Sequence, residues 1–171
     1  MSPSTNDLEL RRQVQALTDI ENIKQLAARY YRCLDTANMT EMRELMTEDV
    51  TTDFHGGSYH VQLEGRDAYL EMIASVFNAE FIGHHNVHHP EIELVSETEA
   101  KATWYLADIA INLRTMRNTY GTALRRDRYR KVEGQWKICH AGYSRIFEVE
   151  EEVKPMNLTA HYLGLHGRKV P

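Results

Sequence analysis

At 171 residues the chain has room for one domain with a single core, and a net charge of -5, from 20 Lys+Arg against 25 Asp+Glu, argues against a general polyanion-binding role. Its two cysteines, Cys33 and Cys139, give neither a disulfide framework nor a zinc motif, which fits a reduced setting. The start Met1-Ser2-Pro3-Ser4-Thr5-Asn6-Asp7 lacks the basic and apolar segments of a signal peptide, and no apolar run reaches membrane-spanning length. A cytoplasmic protein with no nucleic-acid and no membrane partner is therefore expected.

Residues 1–17 read as an N-terminal extension: a polar, frayed start, then a short helical pattern through Leu8, Leu10, Val14 and Leu17. Thr18 reads as an N-cap, and with Glu21 three residues later it forms a capping box that starts a long helix. Ile20, Ile23, Leu26, Ala27, Tyr30 and Leu34 recur at about 100° per residue, with the centre of the stripe between Ile23, Tyr30 and Leu34. Tyr30 therefore points inward, and its hydroxyl needs a partner, because leaving it unpaired costs on the order of 1 to 3 kcal/mol. Asp35 falls at the stripe's edge, roughly 120° from the centre, and opposes the helix dipole unless a cation or donor compensates. His88 is the candidate for that group.

Residues 38–46 give a second, short helix, with Met42, Leu45 and Met46 on one side, and residues 47–49 end it. From Val50 the period becomes two: Val50, Thr52 and Phe54, a Gly56-Gly57 turn, then Tyr59, Val61 and Leu63, which is a hairpin. Gly65 stops it, residues 67–77 return to a helical pattern, and residues 83–90 form a histidine-rich loop. Strands follow over 91–96, 101–114, 121–132 and 135–149, the last two joined by a tight Glu133-Gly134 turn. This order indicates an α+β domain, residues 18–151, whose helices lie against one face of a curved antiparallel β-sheet. The tail, residues 152–171, is too apolar for simple disorder, and packs on the domain or on a neighbouring subunit.

The run Arg125, Arg126, Arg128, Arg130 and Lys131 alternates along a strand and includes Asp127, so it reads as a solvated sheet face. His84, His85, His88 and His89 lack both the His-Glu-x-x-His spacing and cysteine partners, and no metal is expected. The plain reading is histidines bonded to backbone and water; the sharper one makes one of them a general acid or base. Asp108 shares a strand face with Trp104, Leu106 and Ala110, so its carboxylate must be paired or neutralised. A salt bridge to an arginine of the next strand and a catalytic role both remain open. Arg145 is a cation on a strand rich in aromatics, including Tyr143.

Asp19-Ile20-Glu21 with Ile23-Lys24-Gln25-Leu26, Tyr30, Arg32-Cys33-Leu34-Asp35, His88 with Pro90-Glu91-Ile92, and Trp104-Tyr105-Leu106 with Asp108 form one set of motifs. Asp127 with Tyr129, Gly134-Gln135-Trp136, and Gly142-Tyr143 with Arg145-Ile146 complete it. Together they resemble the SnoaL-like branch of the nuclear transport factor 2-like superfamily, and within it the bile-acid 7α-dehydratases. The resemblance implies a cone of curved antiparallel sheet closed by N-terminal helices around a pocket. It implies catalytic positions at Tyr30, Asp35, His88 and Asp108, with the histidine paired to the aspartate that ends the first long helix. Substrate contacts are implied at Phe54, Trp104, Tyr143 and Arg145, although Phe54 stands where the dehydratase has a pocket tyrosine. The implied reaction is cofactor-independent loss of water from a hydroxysteroid, free or as a coenzyme A thioester, or from a similar alicyclic hydroxy-ketone. A homo-oligomer is expected. A non-catalytic ligand-binding or structural subunit of the same fold stays open, as does a cyclase, isomerase or dehydrohalogenase using the same His-Asp pair.

Overall fold

A computed structural model describes residues 4–57 and 59–170. Its first element, α1, is one unbroken helix over Thr5–Asp35. Ser4 caps it, accepting from the Asp7 backbone N–H at 3.2 Å while the Asp7 carboxylate accepts from the Ser4 N–H at 3.2 Å. The expected helix start at Thr18 is thereby corrected. Thr18 lies inside α1, and its hydroxyl donates to the Val14 carbonyl at 2.9 Å, the internal bond of a helical threonine. No Gly or Pro separates the two apolar patterns, so they fuse. The expected stripe faces the core through Ile23, Leu26, Ala27, Tyr30 and Leu34, while Leu8, Leu10, Val14 and Leu17 stay exposed.

The end of α1 is fixed by a left-handed Ala37 at φ 50. The Asn38 N–H donates to the Cys33 carbonyl at 2.8 Å and the Ala37 N–H to the Leu34 carbonyl at 3.1 Å, which is a Schellman closure. Asn38 then caps α2 (Met39–Glu44). Glu41 of that helix accepts from Arg32 at 2.6 Å and from Arg29 at 3.1 Å, and these arginines, Arg32 first, hold its carboxyl down at about 2. The two helices are thus tied together beside Asp35.

The remaining elements are β1 (Met46–His55), β2 (His60–Glu64), α3 (Arg66–Val76), β3 (Phe81–Leu94), β4 (Glu99–Asn112), β5 (Arg117–Val132), β6 (Gln135–Glu152) and α4 (Tyr162–His166). They build one curved six-stranded sheet in the order β2-β1-β6-β5-β4-β3. Every pairing is antiparallel except β1 with β6, and the sheet stays open, with β2 and β3 as its edges. Strand β1 begins at Met46, inside the segment expected to be helical. A larger correction concerns the histidine-rich segment, which is part of β3 and not a loop. It pairs with β4 from Phe81↔Asn112 to Leu94↔Ala100, with a bulge between His88 and Glu91 where His89 takes φ 49.

Helix α1 packs on β3 and β6, and α3 on β1, with the core between helices and sheet. Asp19 of α1 is buried and accepts from Lys131 at 2.9 Å and from the Trp136 indole N–H at 2.8 Å, fastening α1 to β5 and β6. The tail packs on the domain itself: Leu163 of α4 is buried and the Ala79 N–H donates to the Arg168 carbonyl at 2.9 Å.

Candidate active site

A cavity of about 360 Å³ lies between the helices and the sheet, walled largely by apolar and aromatic side chains. Phe54 and Tyr143 line it, stacked with ring centroids 4.9 Å apart, and Tyr59 bonds its hydroxyl to that of Tyr143. Three polar groups interrupt this wall.

The first is a carboxylate-imidazole pair. Asp35 Oδ1 lies 2.5 Å from His85 Nδ1, and its Oδ2 accepts the His85 backbone N–H at 3.2 Å. Both side chains are largely buried, and His85 lines the cavity. With Nδ1 turned to Asp35, the ring's other nitrogen is left as the acceptor. The expected partner, His88, is not there; this is a correction. His88 stacks on the half-exposed Tyr105 at 5.6 Å and bonds its Nδ1 to that of His89 at 2.5 Å, away from the cavity. The reason is strand parity: Phe81, His85 and Val87 point one way, and His88 the other. Register carries the same message, because His85 lies opposite Asp108 whereas His88 lies opposite Tyr105.

The second group is Tyr30 with Tyr69. Their hydroxyls share a short hydrogen bond in the buried wall, and Arg125 Nη1 donates toward Tyr30 at 3.5 Å with its guanidinium 4.5 Å over the Tyr30 ring. Burial, then the neighbouring Tyr30, pushes Tyr69 well above the ordinary phenol range, so it keeps its proton and can donate. Tyr31 is raised in the same way by burial, and its hydroxyl and Arg125 Nη2 meet no partner at hydrogen-bond geometry although the two residues interact electrostatically. Burial works against the Arg125 charge, but Asp127, accepting from Arg125 Nε at 2.8 and 2.9 Å, outweighs it.

Arg125 is the site residue that the sequence reading missed. The expected solvated face holds for Arg126, Arg128 and Arg130 but not for Arg125 and Asp127, which are buried. Alternation with Ala123 and Tyr129, both buried, was the available signal.

Asp108 and Arg145 form the third group. Arg145 grips both carboxylate oxygens, one at 2.9 Å, while its Nε donates to Glu148 at 2.9 Å. Asp108 is thus an acceptor on both oxygens, the salt-bridge alternative weighed for it, with a partner two strands away on β6. The pair reaches across Gly121, which lies between Asp108 and Glu148 in the sheet. A Cβ there would sit 2.3 Å from the Phe147 carbonyl oxygen, so no larger residue fits without moving the backbone. Trp104, expected against substrate, is instead buried beyond the cavity wall, its indole N–H donating to the Tyr129 hydroxyl at 3.0 Å.

A family model described as a SnoaL-like domain matches residues 15–141. A candidate scytalone dehydratase from Novosphingobium aromaticivorans DSM 12444 superposes with a TM-score of 0.69 at 24% identity, covering 85% of this chain and 95% of that one. The hexachlorocyclohexane dehydrochlorinase LinA-type3 of Novosphingobium barchaimii LL02 gives 0.72 at 13%, covering 84% and 99%. A nuclear transport factor 2-like protein with a cystatin-like fold from N. aromaticivorans gives 0.64 at 17%, covering 85% and 92%. At these identities the likeness is one of fold.

Proposed function

The chain belongs to the SnoaL-like domain family, and from that premise we propose a cofactor-independent lyase that removes water from a small, mostly apolar hydroxy-ketone. The observation that carries this reading is the Asp35–His85 pair, set in an apolar cavity that also holds proton-bearing phenols. His85, oriented by Asp35, takes a proton from a carbon acidified by the ketone. The C–H electron pair moves toward the carbonyl oxygen, and the Tyr30 and Tyr69 hydroxyls, with Arg125 behind them, receive the developing enolate charge. Collapse of the enolate forms the new C=C bond and expels the hydroxyl, which leaves as water on taking back the proton held by His85.

In this reading Asp108 donates no proton, because both of its oxygens accept from Arg145. It holds Arg145 against the cavity, where the guanidinium positions a polar end of the substrate. Phe54 and Tyr143 supply a stacking wall. A volume of about 360 Å³ is near the low end of the ~300–1,000 Å³ typical of small-molecule sites, which favours a compact alicyclic substrate. A hydroxysteroid is the largest member of the class, and the motif resemblance to bile-acid 7α-dehydratases makes a 7α-hydroxy-3-oxo-4-ene steroid the specific compound to try. The same base and cavity serve dehydrohalogenation, which the fold likeness to LinA makes the second reaction to assay.

The experiment is incubation with that steroid, free and as its coenzyme A thioester, alongside smaller cyclic β-hydroxy-ketones, following the longer chromophore that dehydration creates. No absorbance change with either steroid form removes the steroid. Once turnover is found, His85→Ala and Asp35→Asn each lower it by about two orders of magnitude or more, whereas His88→Ala leaves it near wild type. An unchanged rate in His85→Ala removes the proposed base.

A further inference from the structure

On the sheet face opposite the cavity, the β1–β2 hairpin brings two imidazoles and a carboxylate to one point. His55 and His60 are paired directly across the hairpin, and Asp53, two residues before His55, shares their face. Phe54 and Val61, of the other parity, line the cavity. His55 Nε2 lies 3.0 Å and His60 Nε2 2.7 Å from the same oxygen, Asp53 Oδ1, and the two rings stack with centroids 3.7 Å apart at 27°. Gln62, opposite Asp53, donates to that oxygen at 3.3 Å and fixes the carboxylate. Among the described residues this is the one group of His, Cys, Asp or Glu whose three ligand atoms converge, all within 4.8 Å.

Protons alone serve this arrangement poorly. Two stacked imidazoles repel if both are charged, and together with the Gln62 amide they crowd three nitrogens onto one carboxylate oxygen. A divalent cation between the three donors removes the conflict. Two neutral imidazole nitrogens and a carboxylate are a donor set suited to zinc and its transition-metal neighbours. Bonds of about 2.0 Å to a tetrahedral ion place neighbouring donors about 3.3 Å apart, close to the 3.0 and 2.7 Å from the two imidazoles to Asp53, and binding requires the stacked rings to part so that both nitrogens converge on the ion.

We propose that Asp53, His55 and His60 form a binding site for a divalent transition metal ion, zinc foremost, with water completing the coordination. The ion lies across the sheet from His85 and takes no part in the chemistry there. Its effect is mechanical. It clamps the two ends of the hairpin whose tip carries Tyr59, which lines the cavity and bonds Tyr143. Metal occupancy therefore sets how firmly one wall of the cavity is held, whatever reaction the cavity performs.

The test is calorimetric titration of the tag-free, metal-stripped full chain with zinc chloride. One equivalent binds, Asp53→Asn weakens binding by at least about tenfold, and the double variant His55→Ala/His60→Ala abolishes it. His88→Ala/His89→Ala, in the other histidine-rich segment, leaves the affinity unchanged. Cobalt(II) gives the visible spectrum of a tetrahedral site, absent from the His55/His60 variant. Far-ultraviolet circular dichroism checks the fold, and the single variant His60→Gln provides the reading if the double variant does not fold. No zinc uptake, or uptake that survives loss of His60, overturns the site.

Discussion

Ala37 carries a strain that a side-chain inventory overlooks. At φ 50 it occupies the position after the α1 C-cap, where a Cβ crowds the following carbonyl and glycine is the usual occupant. Ala37→Gly therefore stabilises the fold by about 1 kcal/mol, read from the midpoint of urea unfolding, and a loss of stability would contradict the strain. The position matters because it stops the helix directly behind Asp35, whose carboxylate must meet His85. A helix running one residue further would carry the chain toward a different exit. Cys33, two residues before Asp35, is buried, and burial pushes its thiol up to about 11, so it contributes packing and no nucleophile at neutral pH.

Among elements, α1 shows best what was legible in the sequence. Its apolar stripe, and Tyr30 at the stripe's centre, follow from periodicity, and the structure places both as that pattern requires. Its start did not follow, because Thr18 with Glu21 is a sound capping signal that an unbroken run of helix formers overrides. Strand β3 shows the opposite case: four histidines and a proline read as loop, yet pairing with β4 holds the segment extended. His88 rests on the motif it shares with Pro90-Glu91-Ile92, and a loop offers no strand parity by which His85 would stand apart from it. The seam between α1 and the sheet is the Asp19 clamp. Burial raises the Asp19 carboxyl, but hydrogen bonds from Lys131 and Trp136 outweigh it and hold the group below its ordinary value of 3.8. A lowered folded-state pKa means the unfolded chain binds the proton more readily. The stabilisation is thus complete above that ordinary value and is lost as pH falls through the lower folded one. Asp19→Ala, which leaves Lys131 and Trp136 without their acceptor, costs about 2–3 kcal/mol at neutral pH and makes the acid loss shallower, both measured by urea unfolding across pH.

Across the whole molecule, one open sheet divides the labour. Its helix-covered face holds the cavity, its other face the Asp53–His55–His60 cluster, and no described helix is long and apolar enough to cross a membrane. The α+β class and the curved sheet follow from element order, whereas the parallel β1–β6 pairing has no local mark in the chain. Through the interior runs one continuous polar line. Trp104 donates to Tyr129, Tyr129 to Asp127 at 3.1 Å, Asp127 holds Arg125, and Arg125 reaches Tyr30 in the cavity wall. An indole is a fluorophore whose emission follows the local electric field, so Trp104 is an optical sensor wired to the cavity. A carbonyl ligand that pulls on Tyr30 and Tyr69 shifts the emission of the Trp136→Phe variant, in which Trp104 is the remaining tryptophan, and leaves that of Trp104→Phe unmoved. That shift makes Trp104 a built-in reporter, and candidate ligands are screened through its emission before any product is in hand.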